Sequence, residues 1–492
     1  MHKKRTVFVG VMFTLCMVYL VFAQAFICFV NGGEYTQSAV NQRTDSVVIK
    51  NYRGKFLDTN GVPLVENSTA EFEVAEGKTA RIPARYAPDS LARHLVGYVD
   101  SDGVGVSGLE ACFEDVLTDR SKARARVVRS ANGDVIGSVG MGIDEGSYLS
   151  DNVVLTIDSH IQRISENALS AVGATGAVVV LDTANFDVLA MASAPDFDQN
   201  NIQNHLYSDK GELINRCVYP YNAGSVFKII TLSASSEFAT LNSEYNCNGF
   251  IDVYEHRYAC HLDEGHGTIC PEEALAYSCN CAFYTMGLGM GDDAVIAMAR
   301  RFGMGTPLLR GVDKLCESAG NIPHSEDTVF LDSINLSIGQ GDILITPIQA
   351  AYMTAIIANG GQKKALRLVK EIQDSYGNTV TSFDSQESER VILPSTCSLV
   401  SRAMRMAVTD GTAKALCDSF VPVAGKTGTA ETGWLRNGKT LVHGWFCGFF
   451  PYDNPRYAVA VLIEDGGSGA GSALPVFKEI AEEISRIYPF DS

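Results

Sequence analysis

Trp445-Phe446-Cys447-Gly448-Phe449-Phe450 and Tyr457-Ala458-Val459-Ala460-Val461-Leu462-Ile463 stand on either side of a turn rich in Pro, Asp and Asn. Two short apolar runs bounded by turn residues read as neighbouring strands. The same texture occurs far upstream, where Ala177-Val178-Val179-Val180-Leu181 and Val188-Leu189-Ala190-Met191-Ala192 flank another short turn. Before these, Val153-Val154-Leu155-Thr156-Ile157 reads as a strand and Asp158 as the N-cap of a helix. Ile161, Ile164, Ala168, Leu169 and Val172 then fall at helical spacing, and Phe477, Ile480, Ala481, Ile484 and Ile487 mark a closing helix. Strands at both ends with helical segments between them predict an α+β domain over residues 151–492, its sheet assembled from the two ends of that segment.

Outward from this segment the chain changes character. Its 492 residues are 46% hydrophobic and 20% charged, with 45 Gly and 15 Pro, which excludes a disordered, collagen-like or low-complexity protein. The net charge is −18, and Lys3, Lys4 and Arg5 precede the first apolar run, so the remainder is more acidic still. Nucleic-acid binding needs the opposite sign. From Val7 to Val30 the sequence is apolar apart from Thr14, Gln24 and a few small or sulfur-bearing residues, long enough to cross a bilayer as a helix. The three cations predict a cytoplasmic tail at residues 1–6, an anchor at 7–30 and an extracytoplasmic body. Ala23-Gln24-Ala25 mimics a signal-peptide cleavage site, but the apolar run continues through Phe26, Ile27, Phe29 and Val30, which favours an uncleaved anchor. Residues 31–150 read as a separate β and loop module, with Val47-Val48-Ile49 an early strand, Asn60-Gly61 a hairpin turn and Gly103, Gly105 and Gly108 a loop.

Of 13 cysteines, Cys16 and Cys28 lie in the anchor; the others form an odd number, so one exported thiol lacks an intrachain partner. Cys247, Cys260, His261, His266, Cys270, Cys279 and Cys281 crowd together. Their spacing lacks a paired C-x2-C framework, and exported cysteines more often pair or stay as buried apolar side chains. Zinc, disulfides and free thiols all remain open, disulfides being favoured, and no metal or cofactor is assigned. Cys247 and Cys260 flank the hairpin-like stretch 250–258, so a Cys247–Cys260 disulfide is expected.

Three short motifs carry chemistry. Ser225-Val226-Phe227-Lys228 follows Tyr221-Asn222-Ala223-Gly224 and precedes Ile229, Ile230 and Leu232, so Ser225 opens a buried helix and Gly224 permits the tight entry. Positions three apart share a helix face, bringing the Lys228 amine beside the hydroxyl. Burial disfavours the charged amine, which then serves as the base that activates the serine. Ser278-Cys279-Asn280, on a bend between helices, offers a proton relay and an amide for a substrate. Lys426-Thr427-Gly428-Thr429-Ala430 leads into the Trp445 strand; a glycine there lets another backbone approach, and the lysine and hydroxyls suit a carboxylate. Each motif alone is also common as a helix start, a loop or a strand end.

Together, in this order, they resemble the penicillin-recognising serine enzymes. The resemblance extends to class B penicillin-binding proteins, the monofunctional, membrane-anchored transpeptidases of peptidoglycan synthesis. Arg53-Gly54 with Asp58, Asn60, Gly61, Pro63 and Leu64 is similar to that family's N-terminal signature. His94 to Tyr98, Gly105 to Glu110, Leu155 to Gln162, Gly339-Gln340-Gly341 with Thr346-Pro347 and Gln349, and Gly411-Thr412-Ala413 are similar to later blocks. The short pedestal resembles the smaller members called penicillin-binding protein A. Two positions depart from the pattern, Ala223 where Pro is usual and Asn185-Phe186 in place of a Thr-Gly turn.

The resemblance implies an antiparallel sheet flanked by helices, preceded by a pedestal (31–150) and the anchor. It implies Ser225 as nucleophile toward D-Ala-D-Ala stem peptides and β-lactams, Lys228 as base, Ser278 as proton relay and Lys426 as a tuning charge. Asn280, Thr427, Gly428 and Thr429 would bind substrate, with no cofactor, and a membrane glycosyltransferase of the SEDS family would be the partner. A carboxypeptidase or β-lactamase on the same fold, or a β-lactam sensor, are the rival expectations. Tyr376-Gly377-Asn378 copies a motif of class D β-lactamases but reads as a hairpin turn. His443 reads as a strand-end structural histidine, since no nucleophile-elbow pattern accompanies it.

Overall fold

The structure, a computed structural model, describes residues 2–33, 35, 44–48, 53–65, 68–75, 78–118, 124–128, 142–144, 150–324, 332–384, 388–436 and 438–490. The chain forms two compact units, Met1–Tyr52 with Asp119–Leu149, and Arg53–Thr118 with Ser150–Ser492. In the first, α1 (His2–Phe29) carries the long apolar run, and its apolar window is not buried by any of the described residues. Thr44–Val48, Arg124–Val128 and Gly142–Asp144 make an antiparallel sheet with Arg124–Val128 in the middle. Ile49 lies outside the described residues.

The second unit is built on one five-stranded antiparallel sheet. In chain order its elements are α2 (Ser159–Ala171), β1 (Gly176–Asp182), β2 (Val188–Ala194), α3 (Lys228–Glu237), α4 (Asn280–Met290), α5 (Pro347–Ala358), α6 (Pro394–Thr409), β3 (Ala424–Arg436), β4 (Lys439–Phe450), β5 (Tyr457–Ile463) and α7 (Ala473–Ile487). The strand order is β3-β4-β5-β1-β2, so the two ends of the segment do build one sheet. Successive residues of a strand point to opposite faces. Val179, Leu181, Met191, Phe449, Ala460 and Leu462 pack with α3 and α5 on one face; Val178, Val180, Ala190, Phe446, Val459 and Val461 pack with α2 and α7 on the other. With both faces covered the strands are continuously apolar instead of alternating. Each fully buried Val, Leu, Ile or Phe contributes roughly 1.5–3 kcal/mol. α5 is buried from Pro347 through Ile357 and is predominantly apolar, with Gln349 and Thr354 its buried polar residues.

Asp158 caps α2 as its sequence predicts, accepting from the N–H groups of His160 and Ile161 at 2.9 and 3.2 Å. Phe186, at the turn between β1 and β2, has φ 64 although it is not glycine, and its ring is fully buried against Tyr352. Burial of that ring offsets the steric cost of the left-handed backbone. The Asn152–Leu155 strand joins a second sheet, between Val369–Gln373 and Phe56–Leu57. Asp58 accepts from the N–H groups of Asn60 and Val62, which closes the turn at Gly61.

Residues 53–118 also carry three short helices, Arg93–Val96, Gly108–Cys112 and Glu114–Leu117. Their centre is Glu110, wholly buried, whose carboxylate takes Arg53 Nη2 at 3.0 Å, Arg85 Nε at 2.7 Å and the Tyr86 hydroxyl at 3.2 Å. Tyr376 is exposed on the turn between Val369–Gln373 and Thr379–Ser382, the hairpin its sequence predicts.

Candidate active site

The Ser225 turn is held on three sides. Trp445 Nε1 on β4 donates to Asn222 O at 2.9 Å, the Gly224 N–H donates to Gly339 O at 2.8 Å, and Gly224 itself adopts φ 56. A Cβ at Gly224 would lie 2.6 Å from Thr429 O and 2.9 Å from Ala430 Cβ, so only glycine lets this turn lie against β3. Gly224–Phe227 is a 3-10 turn leading into α3, which begins at Lys228. Ser225 and Lys228 stand three residues apart across this junction, a spacing that puts both side chains on one side of the helix.

Lys228 is completely buried. Its ammonium donates to Ser278 O at 2.7 Å, Ser278 Oγ at 3.2 Å and Asn280 Oδ1 at 2.6 Å. Burial pulls its pKa down to about 8, against an opposing influence of the thiols of Cys279, Cys260 and Cys281. Ser278 and Asn280 flank the start of α4, after the helix Pro271–Ala276. Ser278 has φ 59, a strained geometry that aims the hydroxyl and the carbonyl at the same amine.

On β3, Thr427, Thr429 and Glu431 alternate toward the cleft while Lys426 is turned inward, fully buried, its amine donating to Thr427 O at 2.7 Å. Burial, and then the nearby Lys228 charge, hold the Lys426 pKa well below its ordinary value. Gly428 serves close approach as its sequence suggests: a Cβ there would lie 2.9 Å from both Trp445 Cβ and Val226 Cγ1. β3 is an edge strand, so one side of its backbone is free of sheet pairing.

These elements surround a cleft of about 360 Å³ lined by Ser225, Ser278, Asn280, Thr427 and Thr429, and also by His261, Ile338, Gln340, Thr412, Glu431, Ser468 and Ala470. The residues of all three motifs therefore meet, Lys228 and Lys426 lying beneath the cleft wall. Thr412 Oγ1 is 2.7 Å from Thr427 Oγ1 and fixes that hydroxyl. Sequence reasoning gave no role to Gln340, Thr412, Glu431 or Ser468; for Glu431 the period-two spacing from Thr427 was the available signal. His443 faces the Tyr221 ring at 5.3 Å and accepts from the Asp465 N–H at 3.4 Å, a structural position within β4.

The expected Cys247–Cys260 disulfide does not form. The hairpin between them is present, Phe250–Val253 against His256–Ala259, but both thiols are free. They converge instead with Cys279 and His266, the four donor atoms lying within 4.8 Å of one another. Among the described residues this is the group able to hold a metal.

Comparison with known proteins agrees with this arrangement. The family model "Penicillin binding protein transpeptidase domain" matches residues 176–482. The peptidoglycan D,D-transpeptidase MrdA of Haemophilus influenzae is 28% identical over 79% of this chain and 64% of its own length. The chain spans about two thirds of the length of the curated relatives it matches. Penicillin-binding protein 3 of Mycobacterium tuberculosis complexed with aztreonam superposes with a TM-score of 0.71 at 26% identity, over 91% of this chain and 98% of that one. A chain from a peptidoglycan synthase complex that coordinates polymerization and crosslinking gives a TM-score of 0.73 at 26% identity, over 99% of both. The chain belongs to the penicillin-binding protein transpeptidases, a family of serine acyltransferases, as a class B penicillin-binding protein of the type that includes PbpA and MrdA.

Proposed function

We propose that this protein is a serine D,D-transpeptidase that cross-links peptidoglycan stem peptides and is acylated by β-lactams. One observation carries the assignment of roles: the buried Lys228 amine is gathered by Ser278 and Asn280 beneath a cleft that opens on Ser225. Ser225 Oγ attacks the carbonyl of the penultimate D-Ala as Lys228, once neutral, takes its proton. The N–H groups of Ser225 and Thr429 stabilise the oxyanion; the close packing of Gly224 on Thr429 and Ala430 supports this pairing. The tetrahedral intermediate collapses, the C–N bond breaks, and Ser278 passes a proton to the departing D-Ala amine. An amine of a second stem peptide then attacks the ester, forming the cross-link and restoring Ser225. Thr427, Gly428 and Thr429 hold the terminal carboxylate, Lys426, buried behind them, tunes the local charge, and Asn280 bonds the peptide amide.

In this reading α1 anchors the protein in the cell membrane, residues 1–6 are cytoplasmic, and the body, with its pedestal (31–150) and transpeptidase segment (151–492), is extracytoplasmic. A SEDS-family glycosyltransferase supplies the nascent glycan; the likeness to a chain of a peptidoglycan synthase complex supports such a partner. A class A β-lactamase is disfavoured because no E-x-x-L-N segment lies between Asn280 and Lys426 to aim a deacylating water. The test is intact-mass analysis of the full chain in detergent after incubation with penicillin. One adduct on the Ser225 peptide is expected, absent in a folded Ser225→Ala variant; labelling that persists in that variant overturns the assignment.

A further inference from the structure

The chain is strongly acidic, with a net charge of −18, yet its cations are not spread evenly. Residues 299–310 and 362–370 hold seven Lys and Arg and no Asp or Glu. The fold brings these two stretches together. Between them opens a cavity of about 290 Å³, lined by Arg300 and Arg310 from the first and by Lys363 and Lys364 from the second. Tyr352 of α5 lines it too, a buried ring packed edge-on against Phe186, and its hydroxyl donates to Lys364 O at 2.8 Å, which fixes the lysine backbone. Among the described residues Glu389 is the one carboxylate lining the cavity, and it pairs with Lys363 at 3.2 Å. Arg300 Nη2 donates to His324 Nδ1 at 3.1 Å and Lys364 Nζ to Ala184 O at 2.7 Å. Neither acceptor is anionic, so both cations are oriented without losing their charge.

We propose that this cavity is an anion site that binds a phosphate or diphosphate group. Four cations against one carboxylate leave three positive charges around one small space. A single carboxylate ligand leaves most of that excess unmatched. A phosphomonoester carries about −1.5 to −2 and three strong acceptor oxygens, and a diphosphate carries more. Arg300 and Arg310 present planar forks that engage phosphate oxygens two at a time, while Lys363 and Lys364 add point charges. A concave wall lined by one sign of charge focuses the field, and the acidic remainder of the chain repels the same anion. Two sources supply this chemistry, a soluble phosphorylated molecule or the headgroup of an anionic lipid. The site stands apart from the acyl-transfer reading, since none of its lining residues lines the Ser225 cleft.

The test is calorimetric titration of the full chain, in a non-ionic detergent at low salt, with sodium pyrophosphate. Saturable binding at a single site is expected, weakening as added salt screens the exposed charges. Reversing one lining charge, in Arg310→Glu or Lys364→Glu, should weaken binding by about tenfold or more. Lys478→Glu, on α7 across the sheet from Tyr352, lies beyond the reach of screened charge and should change affinity by less than about twofold. Each variant is checked for a cooperative thermal transition. A measurement on the unmutated chain guards against variants that misfold: pyrophosphate should slow acetylation of Lys363 and Lys364 by an amine-reactive reagent, read by peptide mass spectrometry, and leave Lys478 unprotected. Phosphatidylglycerol added to the micelles separates the sources, since displacement of pyrophosphate assigns the site to a lipid headgroup and continued binding assigns it to a soluble phosphate; either supports the site. Absence of saturable binding, affinity unchanged in Arg310→Glu, an equal loss in Lys478→Glu, or Lys363 and Lys364 modified at the same rate with and without pyrophosphate would each overturn the proposal.

Discussion

Replacing Gly224 by alanine adds one methyl group at the seam between the Ser225 turn and β3. Two costs are readable from the geometry. At φ 56 an L-residue lies in the left-handed region, which costs roughly 1–2 kcal/mol. The new Cβ would stand 2.6 Å from Thr429 O and 3.0 Å from Ala430 Cα, backbone atoms that cannot rotate away. β3 is tied to β4 by the ladder through Thr429↔Gly444 and Ala430↔His443, so the turn or the strand must move bodily. Such overpacking costs about 1–3 kcal/mol. The sum is about 2–5 kcal/mol, and in a chain of this size about 1 °C of Tm per kcal/mol gives a fall of roughly 2–5 °C. Acylation suffers separately, because the displaced segment carries the Thr429 N–H. Misplacing one oxyanion donor slows such reactions by about 10²–10³. Stopped-flow acylation with a chromogenic β-lactam, alongside thermal unfolding, reads both effects. A variant that acylates within twofold of the parent, whatever its Tm, would refute the placement of Thr429 beside Ser225.

The pH dependence of acylation should follow Lys228, whose folded pKa is lowered to about 8 mainly by burial. A base must be neutral, so the rate should climb about tenfold per pH unit below that value and level off above it; a flat profile would exclude Lys228 as base. Lys228→Arg should not rescue Lys228→Ala, since a guanidinium stays charged, and near-normal acylation by the arginine variant would contradict the mechanism. Glu110→Ala leaves Arg85 buried without a carboxylate, while Arg53 keeps Glu114 at 2.9 Å, and should cost about 3–5 kcal/mol in denaturant unfolding, a loss below 1 kcal/mol counting against the cluster's role. A β-lactam should give one stoichiometric burst and then turn over on a scale of about an hour, a barrier of about 22–23 kcal/mol; sustained turnover lost in Ser225→Ala would make the protein a β-lactamase.

The central strands were legible because a sheet buried on both faces writes itself as unbroken apolar runs, and Asp158 because a capping carboxylate precedes a helical period. Ser225, Ser278 and Lys426 were legible only jointly, since each motif is ordinary by itself. Glu110 appeared as part of a family signature, but nothing in its spacing announced that it neutralises two arginines distant in sequence. The thiol group was seen and misread. Cys247, Cys260, His266 and Cys279 come from two ribbons and a helix bend, so their spacing obeys no local repeat, and only the fold reveals that the four donors meet. Phe186 broke the expected turn chemistry because tertiary burial of its ring outweighs a local backbone preference.

The order β3-β4-β5-β1-β2 has a consequence for how the protein comes into being. β5, at the middle of the sheet, is the last strand to be synthesised, and α7, which covers it, comes later still. Until β5 inserts, β1–β2 and β3–β4 are two separate ribbons with every edge open to other chains. The nucleophile turn, about 230 residues older at the ribosome than β5, has nothing firm to lean on until then, because β3 is itself unsupported. Long-range pairing of this kind is slow to form, and the waiting chain is prone to aggregate. Nascent chains arrested before Tyr457 should therefore be blind to penicillin, and competence should arrive in one step as the final strand and helix emerge.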